Sequence, residues 1–343
     1  MRKLLNTLYI TTPDIYLSLN GENIVITQES NQLGRLPLHN LEGVCTFGHA
    51  GASPALMHAC AERNISLTFL SRSGRFLARV IGESKGNVVL RKTQYRISDN
   101  EMESAKVARN FIFAKVSNQK WILERVTRDY PMRVDVPVFK ETSKYLSEMM
   151  RKILNTNDLD QLRGFEGQAA SSYYKLFNEM ILQQKDDFYF ITRNRRPPTD
   201  NVNALLSFSY TLLANDVAAA LESVGLDAYV GFLHRDRPGR ASLALDLMEE
   251  LRGVVADRFV LSLINKKVIQ SKDFLKKENG AVLLTDDARK KFLKAWQERK
   301  QEQLTHPRLK EKITWGLVPY TQALLLARFL RGDSDEYPPF LWK

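Results

Sequence analysis

Within GFLHRDRPGRASLALDLMEELR, residues 231–252, a lone histidine, His234, precedes a segment carrying Asp246, Glu249 and Glu250. On a helix Asp246 stands three residues from Glu249 and four from Glu250, so these acids neighbour one another and repel unless a cation joins them. A neutral imidazole with carboxylates suits Mg2+ or Mn2+, the nitrogen donor favouring Mn2+. The plainer reading is a solvated acidic face, the usual state of a charged helix surface. Against it, Leu243, Leu247, Met248, Leu251, Val254 and Val255 form an apolar stripe that Asp246 and Glu249 flank rather than oppose. Both acids can therefore face a cleft between helices. The intervening Arg-, Pro- and Gly-containing loop can bring His234 back toward them.

A second region is RGFEGQAASSYYKLF, residues 163–177, where Glu166 is surrounded by Gly164, Gly167, Ala169, Ala170, Ser171 and Ser172. Such small residues let a neighbouring helix or a ligand approach the backbone, and the spacing does not choose between them. Basic residues cluster nearby: Arg193, Arg195 and Arg196 in TRNRRPPTD, and Arg235, Arg237 and Arg240 around His234. Lysines follow at Lys266, Lys267, Lys272, Lys276 and Lys277. Together with a net charge of +11 and a pI near 9.5, they point to a polyanionic partner. Phosphate contacts of this kind bind DNA with little sequence preference and strong salt dependence. For any one of these side chains, an ordinary solvated surface explains the residue equally well.

Other candidates are weaker. Asn203 and Tyr210 suit either polar contacts near a site or interior packing. Ser242 fits a helix N-cap. His39, His49, His58 and His306 have no companion ligand pattern, and Cys60 near His58 makes a poor zinc site. Cys45 and Cys60 read as buried thiols, Trp296 and Trp315 as packing residues. The opening MRKLLNTLYITTPDIYLSL has no long apolar core or small-residue cleavage site, and no uncharged apolar run is of bilayer length. A cytoplasmic location with no membrane partner is expected.

These residues need a scaffold, and the pattern predicts an α+β, two-domain chain. Residues 1–96 read as a small, mostly β domain. IYLSLNGENIVI alternates around Asn20-Gly21, a hairpin signal. LEGVCTF, ISLTFLS and RFLARVIG read as strands, the last two separated by a Ser/Arg/Gly turn. SPALMHACAERN reads as a helix with Ser53 as N-cap and Pro54 at its first position. After VVLRKTQYRI, helical spacing takes over, with Ser98 and Glu101 as a capping box. Residues 97–343 are expected to be almost wholly α-helical, with helices near 138–155, 165–184, 201–224, 242–265, 285–303 and 316–330.

The order and spacing of GFEGQAA, VGFLH and SLALDLMEELR resemble the CRISPR-associated spacer-acquisition integrase and endonuclease, the first of the Cas protein families. The likeness runs over nearly the whole chain through LRKTQY, AKVSNQ, NVNALLSFSYTLL and INKKVIQSKDF. The ending YPPFLWK is similar to the I-C subtype. The resemblance implies a homodimer with an N-terminal β domain and a helical catalytic domain. It also implies a metal held by Glu166, His234 and Glu249, with Asp246 as the nearby acid. Relatives often carry Asp where Glu249 stands here, one methylene shorter.

The implied reaction is strand transfer: the 3′-hydroxyl of a short DNA duplex attacks a phosphodiester of the CRISPR repeat, with no covalent enzyme intermediate. Implied partners are DNA, a small ferredoxin-like second adaptation protein bridging two dimers, and a Cas4-like nuclease. Two alternatives make different predictions: a branched-DNA nuclease without integration, and a non-catalytic DNA-binding scaffold.

Overall fold

The computed structural model describes residues 5–29, 31–72, 74–82 and 88–343. Among them are the helices α1 (Pro54–Glu62), α2 (Val88–Ser98), α3 (Glu101–Asp129), α4 (Val136–Leu154) and α5 (Leu159–Lys175). Then come α6 (Asn201–Ser223), α7 (Ser242–Leu251), α8 (Arg258–Asn265), α9 (Asp286–Gln301) and α10 (Val318–Leu330). The chain divides into two compact units, Met1–Lys85 with Leu284–Glu302, and Gly86–Leu283 with Gln303–Lys343.

In the first unit the strands are β1 (Asn6–Ile10), β2 (Ile15–Asn20), β3 (Asn23–Gln28), β4 (Asn31–Pro37), β5 (Leu41–Phe47), β6 (Gly51–Ala52), β7 (Ser66–Leu70) and β8 (Phe76–Val80). One sheet has the order β4-β3-β2-β6, the other β1-β5-β7-β8. β2 and β3 form the expected hairpin, but its two-residue loop is Gly21-Glu22 rather than Asn20-Gly21. Gly21 alone takes positive φ, +58°, so Asn20 stays in its strand. β5 and β7 pair in parallel and are joined through α1, because a parallel pair needs a crossover. Ser53 caps α1 by accepting from Leu56 N, with Pro54 following, as the sequence predicts. Part of the turn expected between β7 and β8, at residue 73, lies outside the described residues.

The apolar faces of the two sheets and α1 bury Leu17, Ile24, Leu38, Leu56, Cys60 and Leu67 completely. Each such aliphatic side chain contributes about 1.5–3 kcal/mol of burial. Cys45 and Cys60 are buried and not disulfide-bonded, and burial pushes the Cys60 thiol up to about 11. Helix α9, read from sequence as part of the helical domain, belongs to this first unit. Its Arg289 lies over the Phe47 ring, Lys300 pairs with Glu42 at 3.3 Å, and Gln301 donates to Asn6 Oδ1. Trp296 is buried as a packing residue.

The second unit is mostly helical and forms around α3. VVLRKTQYRI, which the sequence places in the β domain, is helix α2 of this unit. The expected capping box at Ser98 is absent: Asn100 caps α3 by accepting from Glu103 N, and Ser98 is left to close α2. The single helix expected over 242–265 is broken by a π-helical turn, Arg252–Asp257. Gly253 in that turn packs on α3, where an added Cβ would meet Ile122 at 3.0 Å. The unit is not all α: short hairpins form from Phe274–Lys276 with Val282–Leu284 and from Gln303–Thr305 with Lys312–Thr314. Helix α6 is long and apolar enough by length and composition to cross a bilayer, yet most of its apolar window is buried inside the unit.

Candidate active site

Asp246 projects from α7 with its side chain fully buried. Its Oδ2 accepts from the backbone N–H of Phe232 (2.6 Å) and Leu233 (2.9 Å), and its Oδ1 from His234 N (3.0 Å). The same Oδ1 lies 2.5 Å from His234 Nδ1. A carboxylate can only accept, so Nδ1 carries the proton, and in the neutral ring Nε2 is then the nitrogen with the lone pair. No partner of Nε2 is present among the described residues, and the ring is part-exposed. The backbone reaches this close because residue 231 is glycine: a Cβ there would stand 2.8 Å from Asp246 Oδ2 and 2.9 Å from Ser242 Cβ.

The loop before His234 is held from two other helices. From α2, Gln94 donates to Asp227 O and Val230 O and accepts from Asp227 N, while Ser98 Oγ donates to Gly231 O at 2.7 Å. From α5, Arg163 donates through Nε and Nη2 to Leu233 O at 3.1 and 2.8 Å. Arg163 stands three residues before Glu166, so one helix anchors the histidine loop and also carries the glutamate. Ser242 does not cap α7, whose N-cap is Ala241. Its hydroxyl instead accepts from Arg240 Nε at 3.3 Å within the loop.

Glu166 and Glu249 converge on a cation already built into the chain. Lys115, from the middle of α3, donates to Glu166 Oε1, and its Nζ lies 2.7 Å from Glu249 Oε2. Lys115 and Glu249 are each only 4 % exposed at the side chain, so little water shares the charge. Burial works against the Lys115 ammonium, but Glu249 and Glu166 outweigh it and hold its pKa above the ordinary lysine value. Burial likewise works against the Glu249 carboxylate, yet Arg252 and Lys115 bring it down to about 2. Glu249 Oε1 pairs with Arg252 Nη2 at 2.8 Å, whereas Oε2 is a buried acceptor with no hydrogen bond in line.

Behind this pair runs a polar layer. The Tyr210 ring lies under the guanidinium groups of Arg252 (4.8 Å) and Arg193 (5.3 Å). Its hydroxyl meets Tyr174 OH at 2.8 Å and donates to Asp257 Oδ1. Burial pushes the Asp257 carboxyl up to about 6. The π turn after α7 thus sets Arg252 and Asp257 on the same buried cluster, a backbone irregularity of the kind often found at functional sites.

Glu250 faces elsewhere. It is fully buried and accepts from Tyr337 OH (2.6 Å), Gln322 Nε2 (2.9 Å) and Phe340 N (2.8 Å), anchoring the segment before the C-terminus. Neither it nor Glu249 belongs to a solvated acidic face. Gly164 and Gly167 meet nothing within 4 Å of an added Cβ, so the reading of a tight helix contact at Glu166 does not hold there. No group of three or more His, Cys, Asp or Glu is close enough to hold a metal among the described residues. The two carboxylates are drawn together, but by Lys115.

The basic residues divide. Arg193 is turned inward, donating to Asn203 Oδ1 and Ser207 Oγ. Asn203 is itself buried, bridging Thr192 O and Asp200. Arg195, Arg196, Arg235, Arg237, Lys266 and Lys267 are exposed; Arg240 folds back onto Arg235 O. Lys115, Arg163, Arg252 and Gly231 were not singled out from the sequence. Lys115 does leave a signal: it falls on the stripe Ala108, Ile112, Lys115, Gln119, Ile122, where a lysine amid buried positions requires a carboxylate partner.

The family described as CRISPR associated protein Cas1 matches residues 8–298. A CRISPR-associated endonuclease Cas1 of Rhodospirillum rubrum is 50 % identical over 349 residues, covering all of both chains. One from Chlorobaculum tepidum is 47 % identical over 343 residues, again covering all of both. A Geobacter sulfurreducens relative named as a Cas4 exonuclease/Cas1 endonuclease fusion is 37 % identical over 97 % of this chain and 60 % of its own. Among solved structures, a casposase bound to integration product aligns with a TM-score of 0.84 at 22 % identity, over 99 % of this chain and 95 % of its own. A Cas6-RT-Cas1–Cas2 complex chain aligns at 0.81 and 23 % identity, over 100 % of this chain and 36 % of its own. The β-rich first unit and helical second unit are the architecture of those folds, and by sequence the chain belongs to the Cas1 family.

Proposed function

We propose that the chain is a metal-dependent DNA endonuclease and integrase of CRISPR adaptation. It would join the 3′-hydroxyl ends of short DNA to the CRISPR repeat by transesterification. The observation that carries this reading is the convergence of Glu166 and Glu249 on one cation, with the His234–Asp246 pair near enough for the imidazole to act on the charge of Glu249. A part-exposed histidine held at Nδ1 by a buried carboxylate suits a metal ligand.

The donor set fits a divalent ion in type. Two carboxylates already point at one positive centre, Glu249 Oε2 being met there by the Lys115 ammonium at 2.7 Å, and His234 brings an imidazole nitrogen. Glu166, His234 and Glu249 would hold Mg2+ or Mn2+, which supplies Lewis-acid polarisation of the phosphoryl oxygen when bound. Asp246, with its oxygens occupied by three backbone N–H groups and the imidazole, acts as a positioning residue rather than a ligand. Arg252 keeps Glu249 ionised and oriented. Exposed Arg195, Arg196, Arg235, Arg237, Lys266 and Lys267 would take the DNA backbone. Arg193 and Arg240 are engaged within the chain and contribute to shape.

Homodimerisation, a Cas2-like second adaptation protein and a Cas4-like nuclease are proposed as partners. The Cas1–Cas2 assembly and the Cas4/Cas1 fusion among the similar proteins support the latter two. The I-C-like subtype rests on the YPPFLWK ending, and a cytoplasmic location on the chemistry of the proposed substrate.

The reaction is tested with a labelled short duplex and a repeat-containing plasmid, with the second adaptation protein present. Joining is expected with 3′-hydroxyl ends and Mn2+, and none with 3′-dideoxy ends or after chelation. Cutting of branched DNA with no joining under any condition would favour the plain nuclease. Binding without either would favour the scaffold.

A further inference from the structure

The ammonium of Lys115 lies where the proposed site needs a divalent ion. It touches both Glu166 and Glu249, the two carboxylates proposed as ligands, and is almost wholly buried. With Arg252 beside Glu249, the four groups carry formal charges that cancel. Were a divalent ion to enter while Lys115 stayed, a net charge of +2 would be confined where water screens it poorly. Like charges a few ångströms apart in such surroundings exclude one another, so ion and ammonium compete for the same oxygens.

The sequence supplies the means for the ammonium to move. A lysine is a point charge on a flexible four-carbon stem that can swing without moving its helix. Of the other carboxylates nearby, both Asp246 oxygens accept from the histidine loop and Asp257 Oδ1 accepts from Tyr210, while Asp257 Oδ2 is buried without a hydrogen bond among the described residues. Lys115 has Glu166 and Glu249 as its acidic partners, and Arg252 shares Glu249 with it.

We propose that Lys115 is the resident counter-ion of this acidic pair, holding Glu166 and Glu249 convergent without a divalent ion and giving way when one binds. It is a positioning residue that sets the site's ion affinity by competition. The inference rests on the metal-site reading above and adds a named competitor to it.

The test is direct Mn2+ binding to full-length, DNA-free protein, followed by loss of the free-ion EPR signal. In Lys115→Met, which keeps length and apolar stem but removes the charge, Mn2+ should bind about tenfold more tightly or better. In Lys115→Arg, whose bidentate fork grips carboxylates harder, Mn2+ should bind several-fold more weakly. The arginine variant preserves the charge balance, so it carries the test if the methionine variant does not fold. Unchanged affinity in both variants, or weaker binding in Lys115→Met, overturns the role of Lys115. Glu166→Gln separates the two claims: if it weakens Mn2+ binding while the Lys115 variants change nothing, the metal site stands and the competitor falls. If Glu166→Gln leaves Mn2+ binding intact, the metal-site reading itself fails.

Discussion

Asp246 determines what His234 can do. Its oxygens are filled by the N–H groups of Phe232, Leu233 and His234 and by the imidazole, which leaves Nε2 as the working atom. Asp246→Asn puts an amide N–H against those donors and removes the charge that fixes the tautomer. We expect DNA joining to fall roughly 10–100-fold while DNA affinity stays within about twofold, measured as single-turnover joining and as equilibrium binding. His306 gives a pH prediction away from the site. Its Nδ1 accepts from Arg308 N and Leu309 N, while Nε2 faces Gln322 Oε1 at 3.1 Å. Charging the ring would set a proton against two donors, and burial lowers its pKa further. A depressed folded pKa means that the stability is present above the ordinary histidine value, about 6.5, and is lost as pH falls below it. Chemical denaturation between pH 7.5 and 5 should show that decline, and His306→Gln should flatten it, each pH given to about half a unit. At this scale the sequence shows which acids can meet a histidine, because helical spacing is local. The wheel and the resemblance single out Glu249 over Glu250, but neither shows what each acid meets, since their partners, Lys115 and Tyr337, come from distant parts of the chain.

Helix α2 and the glycine at 231 show how elements place these side chains. Gln94 and Ser98 bind the backbone of the loop that α7 receives, and Gly231 lets that backbone pass against Asp246. Gly231→Ala should destabilise the chain by about 1–3 kcal/mol in a denaturant titration, because both Asp246 and Ser242 would have to shift. The glycines flanking Glu166 behave oppositely. With nothing near an added Cβ, Gly164→Ala and Gly167→Ala should each stabilise α5 by about 0.5–1 kcal/mol. If DNA fills that open space, the same variants lose joining while gaining stability. Caps were legible where the signal was local, as at Ser53 and Pro54. The same kind of signal misled at Ser98, because Asn100 takes the cap and Ser98 Oγ finds Gly231 O, 133 residues away. The π turn at Arg252–Asp257 has no signature in a periodicity that reads α-helical on both sides.

For the whole molecule, the charge balance of +11 points to a polyanion without naming the residues that meet it. The β-then-α order was legible from the change in hydrophobic period. The return of α9 to the first unit was not, since its anchors Phe47, Glu42 and Asn6 lie in strands and turns far earlier in the chain. Exposed arginines outside the acidic cluster should act on DNA binding alone. Arg195→Gln with Arg237→Gln should lower the slope of log affinity against log salt by about 1 per residue on duplex DNA. Whether His234 works with Glu166 and Glu249 on the DNA phosphate is decided by His234→Ala. Labelled-duplex joining and DNA binding are measured on the same preparation. Joining should be lost and binding retained; joining at the wild-type rate would rule out that role for His234.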